Sequence, residues 1–301
     1  MPDLEPTRQG LVDVEGFRIH WERFGSGERE VVCLLNGLAM HTKAWYPFLP
    51  RLVDRHDVLL FDYPGQGESS ADDVPVTMPQ LARQMAAAAD AAGVARLHAM
   101  GISYGGFVAI EFARLFRERL HTLTLSGILL SHERLFEMYE ALSLRFYRGG
   151  PEQFDLYTHY MYEKIFGEQF VRSVGDALDA MRQRFADRYR DRIHVLVRLT
   201  EAQDPFFAAL DERMPEYRAI DVPTLVMPGT EDRAIPAWVQ RRICDVLPDA
   251  RYLPIEGSGH VVYLEQPDVF WPSLLAFTAA RSTGFVVDPP TPAADAGTSR
   301  S

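Results

Sequence analysis

The sequence predicts an α/β protein: a mostly parallel sheet of about eight strands, helices on both faces, and a helical insertion before the last strands. Three observations carry this. Short apolar runs such as Val31-Val32-Cys33-Leu34-Leu35 have strand length and no polar alternation, as a strand buried on both faces requires. These runs alternate with stretches of helix length, the rhythm of strand–helix–strand crossovers and hence of parallel pairing. The rhythm stops between about Ser131 and Pro215 and resumes at Thr224.

In order, Leu11 to Glu15 and Phe17 to Phe24 alternate apolar and polar residues around Gly16, which predicts a hairpin and an antiparallel start. Residues up to about Gly10 read as a loose lead-in. The Val31 to Leu35 run ends in an Asn36-Gly37 turn, followed by a short helix around Trp45 to Val53. Asp57 to Tyr63 predicts a strand running into the turn Tyr63 to Ser69. Thr77 caps an alanine-rich helix that Gly93 closes. Leu97 to Ile102 is a strand, Tyr104 to Phe116 a helix and Leu120 to Ser126 the next strand. After the insertion come a strand at Thr224 to Gly229, a helix at Pro236 to Leu247, a strand at Ala250 to Ile255 and a helix at Pro267 to Ala280. The expected division is a core of residues 11–127 and 216–280, a helical cap of 128–215, and a Pro/Ala/Ser/Thr-rich tail, 281–301, expected to be disordered.

Composition bounds the function. A chain of 301 residues, 47% hydrophobic and 24% charged, can bury one large core. The net charge of −11 argues against nucleic acid as a partner, because phosphates would repel such a surface. Cys33 and Cys244 sit in apolar surroundings and read as small buried hydrophobes rather than a disulfide or a metal pair. The N-terminal residues lack the basic-then-apolar pattern of a signal peptide, and no apolar run reaches the roughly 18 residues of a membrane span. A cytoplasmic protein is expected, without metal or organic cofactor.

The chemistry-bearing stretch is Gly101-Ile102-Ser103-Tyr104-Gly105, which falls between a predicted strand and a predicted helix. A serine on so sharp a turn has a strained backbone and small neighbours, and its hydroxyl is pushed out of the sheet. A nucleophilic serine needs a base to take its proton and a carboxylate to orient that base. The strand from Thr224 ends in Thr230-Glu231-Asp232, and the strand from Ala250 ends in Glu256-Gly257-Ser258-Gly259-His260. Ser103, Asp232 and His260 thus occur in that order, each just after a core strand, at the carboxyl ends where open α/β sheets build their sites.

From about Leu11 to Ala280 the chain resembles the α/β-hydrolase superfamily. The resemblance rests on Gly-Ile-Ser-Tyr-Gly-Gly at the elbow, Asp62-Tyr63-Pro64-Gly65-Gln66-Gly67-Glu68-Ser69, Pro228-Gly229-Thr230-Glu231-Asp232 and Gly257-Ser258-Gly259-His260. It implies the α/β-hydrolase fold with a cap, and catalysis by Ser103, Asp232 and His260. The oxyanion hole needs two backbone N–H groups, one of which Tyr104 supplies at a helix N-terminus. By resemblance the other is that of Leu38, in the loop after the Val31 to Leu35 strand. That loop carries Asn36-Gly37 in place of the usual His-Gly, so its internal hydrogen bonding must differ. The Asn-Gly opening is similar to that of bacterial 3-hydroxyacyl transferases.

The implied activity is hydrolysis of a carboxylic ester of a small molecule through an acyl-enzyme. Acyl transfer or thioester cleavage would use the same residues, and a non-catalytic binding protein would have lost one of them. Glu231 competes with Asp232 for the acid position. His98 inside a strand reads as a core histidine, and Asp62 as a brace for the Pro64 to Ser69 turn. Leu135, Met138, Leu142 and Phe146 recur at helical spacing and are expected to pack the cap on the core, with some of Phe136, Tyr139, Tyr157, Tyr160 and Met161 facing the substrate. The arginines from Arg182 to Arg192, interleaved with Asp187 and Asp191, read as a solvated helix face.

Overall fold

The computed structural model describes residues 4–70 and 74–286. Its eight-stranded sheet has the order β1-β2-β4-β3-β5-β6-β7-β8. The strands are β1 (Arg8–Val14), β2 (Phe17–Phe24), β3 (Val31–Leu35), β4 (Asp57–Phe61), β5 (Leu97–Ile102), β6 (Leu120–Ser126), β7 (Thr224–Val226) and β8 (Ala250–Tyr252). β2 is antiparallel to β1 and β4, and the remaining pairs are parallel.

Every residue of β3, β4 and β5 is buried, and the period of two in a strand sends alternate side chains to opposite faces. Cys33, Leu35, Leu59 and Ala99 join one apolar cluster with helices α1 (Met78–Ala91) and α2 (Tyr104–Phe116). Val32, Leu34, Leu60 and Met100 join another with Trp45 and with Phe270, Trp271 and Phe277 of the last long helix, Pro267–Ala280. α1 begins with Thr77, whose backbone N–H donates to Gln80 Oε1 at 2.9 Å in a capping box.

β1 starts at Arg8, inside the stretch read as a lead-in, and Thr7 N–H already donates to Arg23 O at 2.8 Å. β7 and β8 are three residues each instead of six, because Pro228 and Pro254 bring no N–H to the ladder. A lone parallel bridge between Gly229 and Ile255 carries the two chains onward. The helix expected from Pro236 to Leu247 is split into Ala237–Arg241 and Ile243–Val246. Residues 281–286 of the expected disordered tail are placed. Phe285 is buried, its ring 5.3 Å from that of Phe277 and capped by the Arg251 guanidinium. The rest of that expectation, 287–301, lies outside the described residues.

Between β6 and β7 run seven helices: α3 (Arg134–Arg148), α4 (Pro151–Ile165), α5 (Glu168–Val174), α6 (Ala177–Tyr189), α7 (Ile193–Glu201), α8 (Asp204–Ala208) and α9 (Leu210–Arg218). Three residues of the stripe expected to face the core, Leu135, Met138 and Leu142, are exposed, whereas the fourth, Phe146, packs inside the cap with its ring 5.9 Å from that of Tyr157. The inward face of α3 is instead Phe136, Tyr139, Glu140, Ser143 and Tyr147. Both sets have helical spacing and differ by one residue. Apolarity singles out the outer one because the inner one includes Glu140 and Ser143.

Candidate active site

β5 runs into α2 through Ser103, which has φ 53° and ψ −123°. A non-glycine residue there costs on the order of 1–3 kcal/mol, so the surroundings must hold it. Two crossings do so. A Cβ on Gly101 would lie 2.4 Å from Gly105 O, and one on Gly105 would lie 2.5 Å from Leu35 O. Only glycine at both positions lets strand and helix approach so closely. Ser103 N–H donates to Ser126 O at 2.8 Å, tying the turn to β6.

The loops after β7 and β8 bring the other two residues together. His260 Nδ1 lies 2.7 Å from Asp232 Oδ2, and both side chains are buried. Asp232 Oδ1 accepts from the amides of Ala234 (2.9 Å) and Ile235 (2.8 Å). Burial alone would lower the His260 pKa. The Asp232 charge and the hydrogen bond to it outweigh burial and hold it above the ordinary imidazole value. The neighbouring Glu231 is turned away, its carboxylate accepting from Glu168 N–H at 2.6 Å. Of the other readings, His98 is a core histidine bonded to Thr122 Oγ1 at 2.9 Å. Asp62 does brace its turn, accepting from Thr42 N–H (2.7 Å) and Glu68 N–H (3.0 Å).

Three supports were not legible in the sequence. Gln240 Nε2 donates to Asp232 Oδ2 at 3.0 Å while its Oε1 accepts from Gly127 N–H at 2.7 Å. Gly127, at φ 69°, lies against the imidazole, where a Cβ would be 2.5 Å from His260 Cε1. Glu265 accepts from the amides of Gly259 (2.9 Å), Val261 (3.0 Å) and Gly167 (2.7 Å), which fastens the His260 loop to the helical insertion. None belongs to a local motif. Gln240 also reaches Gly127 and Glu265 also reaches Gly167, both across a long stretch of chain, and no spacing marks any of the three.

The loop after β3 shows how Asn36 serves. Its Nδ2 donates to Phe61 O at 2.9 Å and its Oδ1 accepts from Trp45 Nε1 at 2.7 Å, so it bridges two neighbouring elements. Ala39 is held at φ 63°. The Gln66 amide, oriented by its partners, accepts from Ala39 N–H (3.0 Å) and donates to Met40 O (2.5 Å). Gly37 lies against the elbow, where a Cβ would be 3.8 Å from Ser103 Cβ. The Tyr104 amide opens α2 and so has no acceptor within its helix.

Gly37, Leu38, Ser103, Tyr104 and His260 line one cavity of about 520 Å³, roofed by α3, α4 and α6. Of the five cap residues some of which were expected to face the substrate, Phe136, Tyr139, Tyr157 and Met161 line it, whereas Tyr160 does not. The arginine run is divided. Arg182 pairs with Asp155 of α4 at 3.3 Å and Arg190 with Asp187 at 3.7 Å, but Arg184 and Arg188 line the cavity. Among the described residues no carboxylate lies within ion-pair distance of Arg184 or Arg188. Among them, too, no cluster of three His, Cys, Asp or Glu could hold a metal ion, and no helix is long and apolar enough to cross a membrane.

A family model for the α/β-hydrolase fold matches residues 30–267. The provisionally named carbamate hydrolase RutD of Azorhizobium caulinodans is 28% identical over 86% of this chain and 94% of its own. A 2-hydroxy-6-oxononadienedioate/2-hydroxy-6-oxononatrienedioate hydrolase of Paraburkholderia phymatum is 28% identical over 86% of this chain and 90% of its own. A pimeloyl-[acyl-carrier protein] methyl ester esterase of Aeromonas hydrophila is 27% identical over 83% and 94%.

Proposed function

We propose that this chain, which belongs to the α/β-hydrolase fold family, is a serine hydrolase that cleaves a carboxylic ester through an acyl-enzyme on Ser103. One observation carries the reading. A serine held at a strained elbow shares a cavity with a buried imidazole whose Nδ1 lies 2.7 Å from a carboxylate. Asp232 fixes the His260 tautomer with the proton on Nδ1, which leaves Nε2 to accept the Ser103 proton. The Ser103 oxygen attacks the acyl carbon, and the amides of Leu38 and Tyr104 stabilise the oxyanion. His260 then protonates the leaving alcohol, and water, deprotonated in turn by His260, releases the acid. The ester esterase among the relatives supports the choice of substrate class. Turnover of a p-nitrophenyl ester panel, lost in Ser103→Ala, tests the reading.

A second reading, thioester cleavage or acyl transfer, is favoured by Arg184 and Arg188, which could receive an anionic group of the acyl donor at the cavity. It predicts higher kcat/KM on acyl thioesters of coenzyme A than on matched esters, and a loss of that advantage on neutralising both arginines.

The site fixes the sign of the pH response. The reaction needs neutral His260, whose pKa is raised by Asp232 above the ordinary imidazole value of about 6.5. Activity should therefore be flat on the alkaline side and fall with a single protonation as pH drops, the midpoint lying above that value. A kcat/KM profile with its acid limb below it would contradict the assignment.

Gly127→Ala should lower kcat/KM by on the order of a hundredfold, because the new Cβ displaces the imidazole ring. A melting curve separates this loss from unfolding.

A further inference from the structure

The apolar lining of the cavity is interrupted by a group of three polar side chains far from the elbow in sequence. Glu140 comes from the inward face of α3, Thr200 from the last turn of α7, and Gln203 from the residue just before α8. Gln203 N–H donates to Thr200 O at 3.0 Å, a single helical turn that brings both side chains to one face. Gln203 Nε2 donates to Glu140 Oε1 at 2.8 Å, which joins the two helices across the cavity wall. Thr200 is 4% exposed and Gln203 6%. The Thr200 hydroxyl oxygen has no hydrogen-bond partner in the protein although it is fully buried. A buried hydroxyl without a partner is costly, and apolar valine would fill the same space without that cost.

We propose that Glu140, Thr200 and Gln203 form a polar subsite for an uncharged oxygen function, a hydroxyl or keto group, carried by the substrate away from its scissile bond. The inference rests on the reading of this cavity as an ester-hydrolysing site. The Thr200 oxygen is sealed in this conformation, so a turn about the Thr200 Cα–Cβ bond would present the hydroxyl to such a group, and Gln203 retains a second amide hydrogen. Burial, then the charges of Asp204 and Glu137, push the Glu140 carboxyl up to about 8, so at neutral pH it keeps its proton and is a further donor. The same charges disfavour a carboxylate at this place. None of the three takes part in the Ser103 chemistry; their effect is on which substrate is chosen.

The test uses esters that carry one hydroxyl, keto or carboxylate group at successive carbons of the acyl or alcohol portion, each compared with its unsubstituted parent. For at least one position, hydroxyl or keto should raise kcat/KM by about tenfold over the parent, the gain of one good hydrogen bond. The carboxylate should not. Thr200→Val and Glu140→Leu should each bring that ratio toward unity. No gain at any position, or a gain that survives in both variants, overturns the subsite. If the full-length enzyme hydrolyses no ester, the ester reading itself has failed. The subsite is then judged on binding of the same pairs to Ser103→Ala by calorimetry. Binding about tenfold tighter for the hydroxyl or keto partner upholds it, and equal or absent binding overturns it.

Discussion

Ser103→Ala is expected to abolish ester turnover and labelling by a fluorophosphonate while leaving the melting temperature close to that of the parent. The expected loss is on the order of a millionfold in kcat, the scale seen when a serine nucleophile is removed from a triad. The alanine should fit the fold readily. The elbow is held by close approaches of Gly101 and Gly105 to neighbouring backbone and by the bond from Ser103 N–H to Ser126 O, none of which uses the hydroxyl. A large loss of activity with an intact fold therefore reports chemistry. Retained turnover, or a label at Ser126 or Ser258, would sink the assignment.

Asp232→Asn is expected to be the next most severe, at about ten-thousandfold in kcat. The reason lies in how the carboxylate is held. Oδ1 accepts from two amides, those of Ala234 and Ile235, so the single oxygen of an asparagine belongs there. Its NH2 would then face both His260 Nδ1 and the Gln240 amide donor, where the aspartate offered an acceptor. The imidazole can answer only by moving its proton to Nε2, the atom that must receive the Ser103 proton. Kinetics paired with nitrogen-15 spectra of the imidazole check this. An unchanged tautomer, or a loss of less than about tenfold, would show that Asp232 is not the orienting group.

The geometry that positions Ser103, Asp232 and His260 was legible because each depends on local backbone. The elbow demands glycine two residues to either side of Ser103, and the loops that carry Asp232 and His260 follow apolar strands. The mostly parallel pairing likewise follows from apolar runs alternating with helices, although the order of the strands does not. Gln240, Glu265 and Gly127 were not legible, because the contacts of Gln240 with Gly127, of Glu265 with Gly167 and of Gly127 with His260 join residues far apart in sequence, and the shorter ones sit in irregular loops without a period. The helical insertion misled for a different reason. On α3 two faces have the same spacing, and the inward one is the less apolar because it holds Glu140 and Ser143. A face that lines a substrate cavity need not be the most hydrophobic face of its helix. Arg184 and Arg188 are solvent-exposed, as a solvated helix face requires, and they border the cavity as well, which charge patterning alone does not reveal.

The central claim is that an acyl group passes through Ser103. Rapid quenching of the enzyme with a p-nitrophenyl ester, followed by intact-mass and peptide analysis, tests it directly. One acyl adduct per chain, mapped to the peptide holding Ser103 and formed at the rate of p-nitrophenol release, is the result expected. An adduct on another residue, or steady turnover in Ser103→Ala, would contradict it.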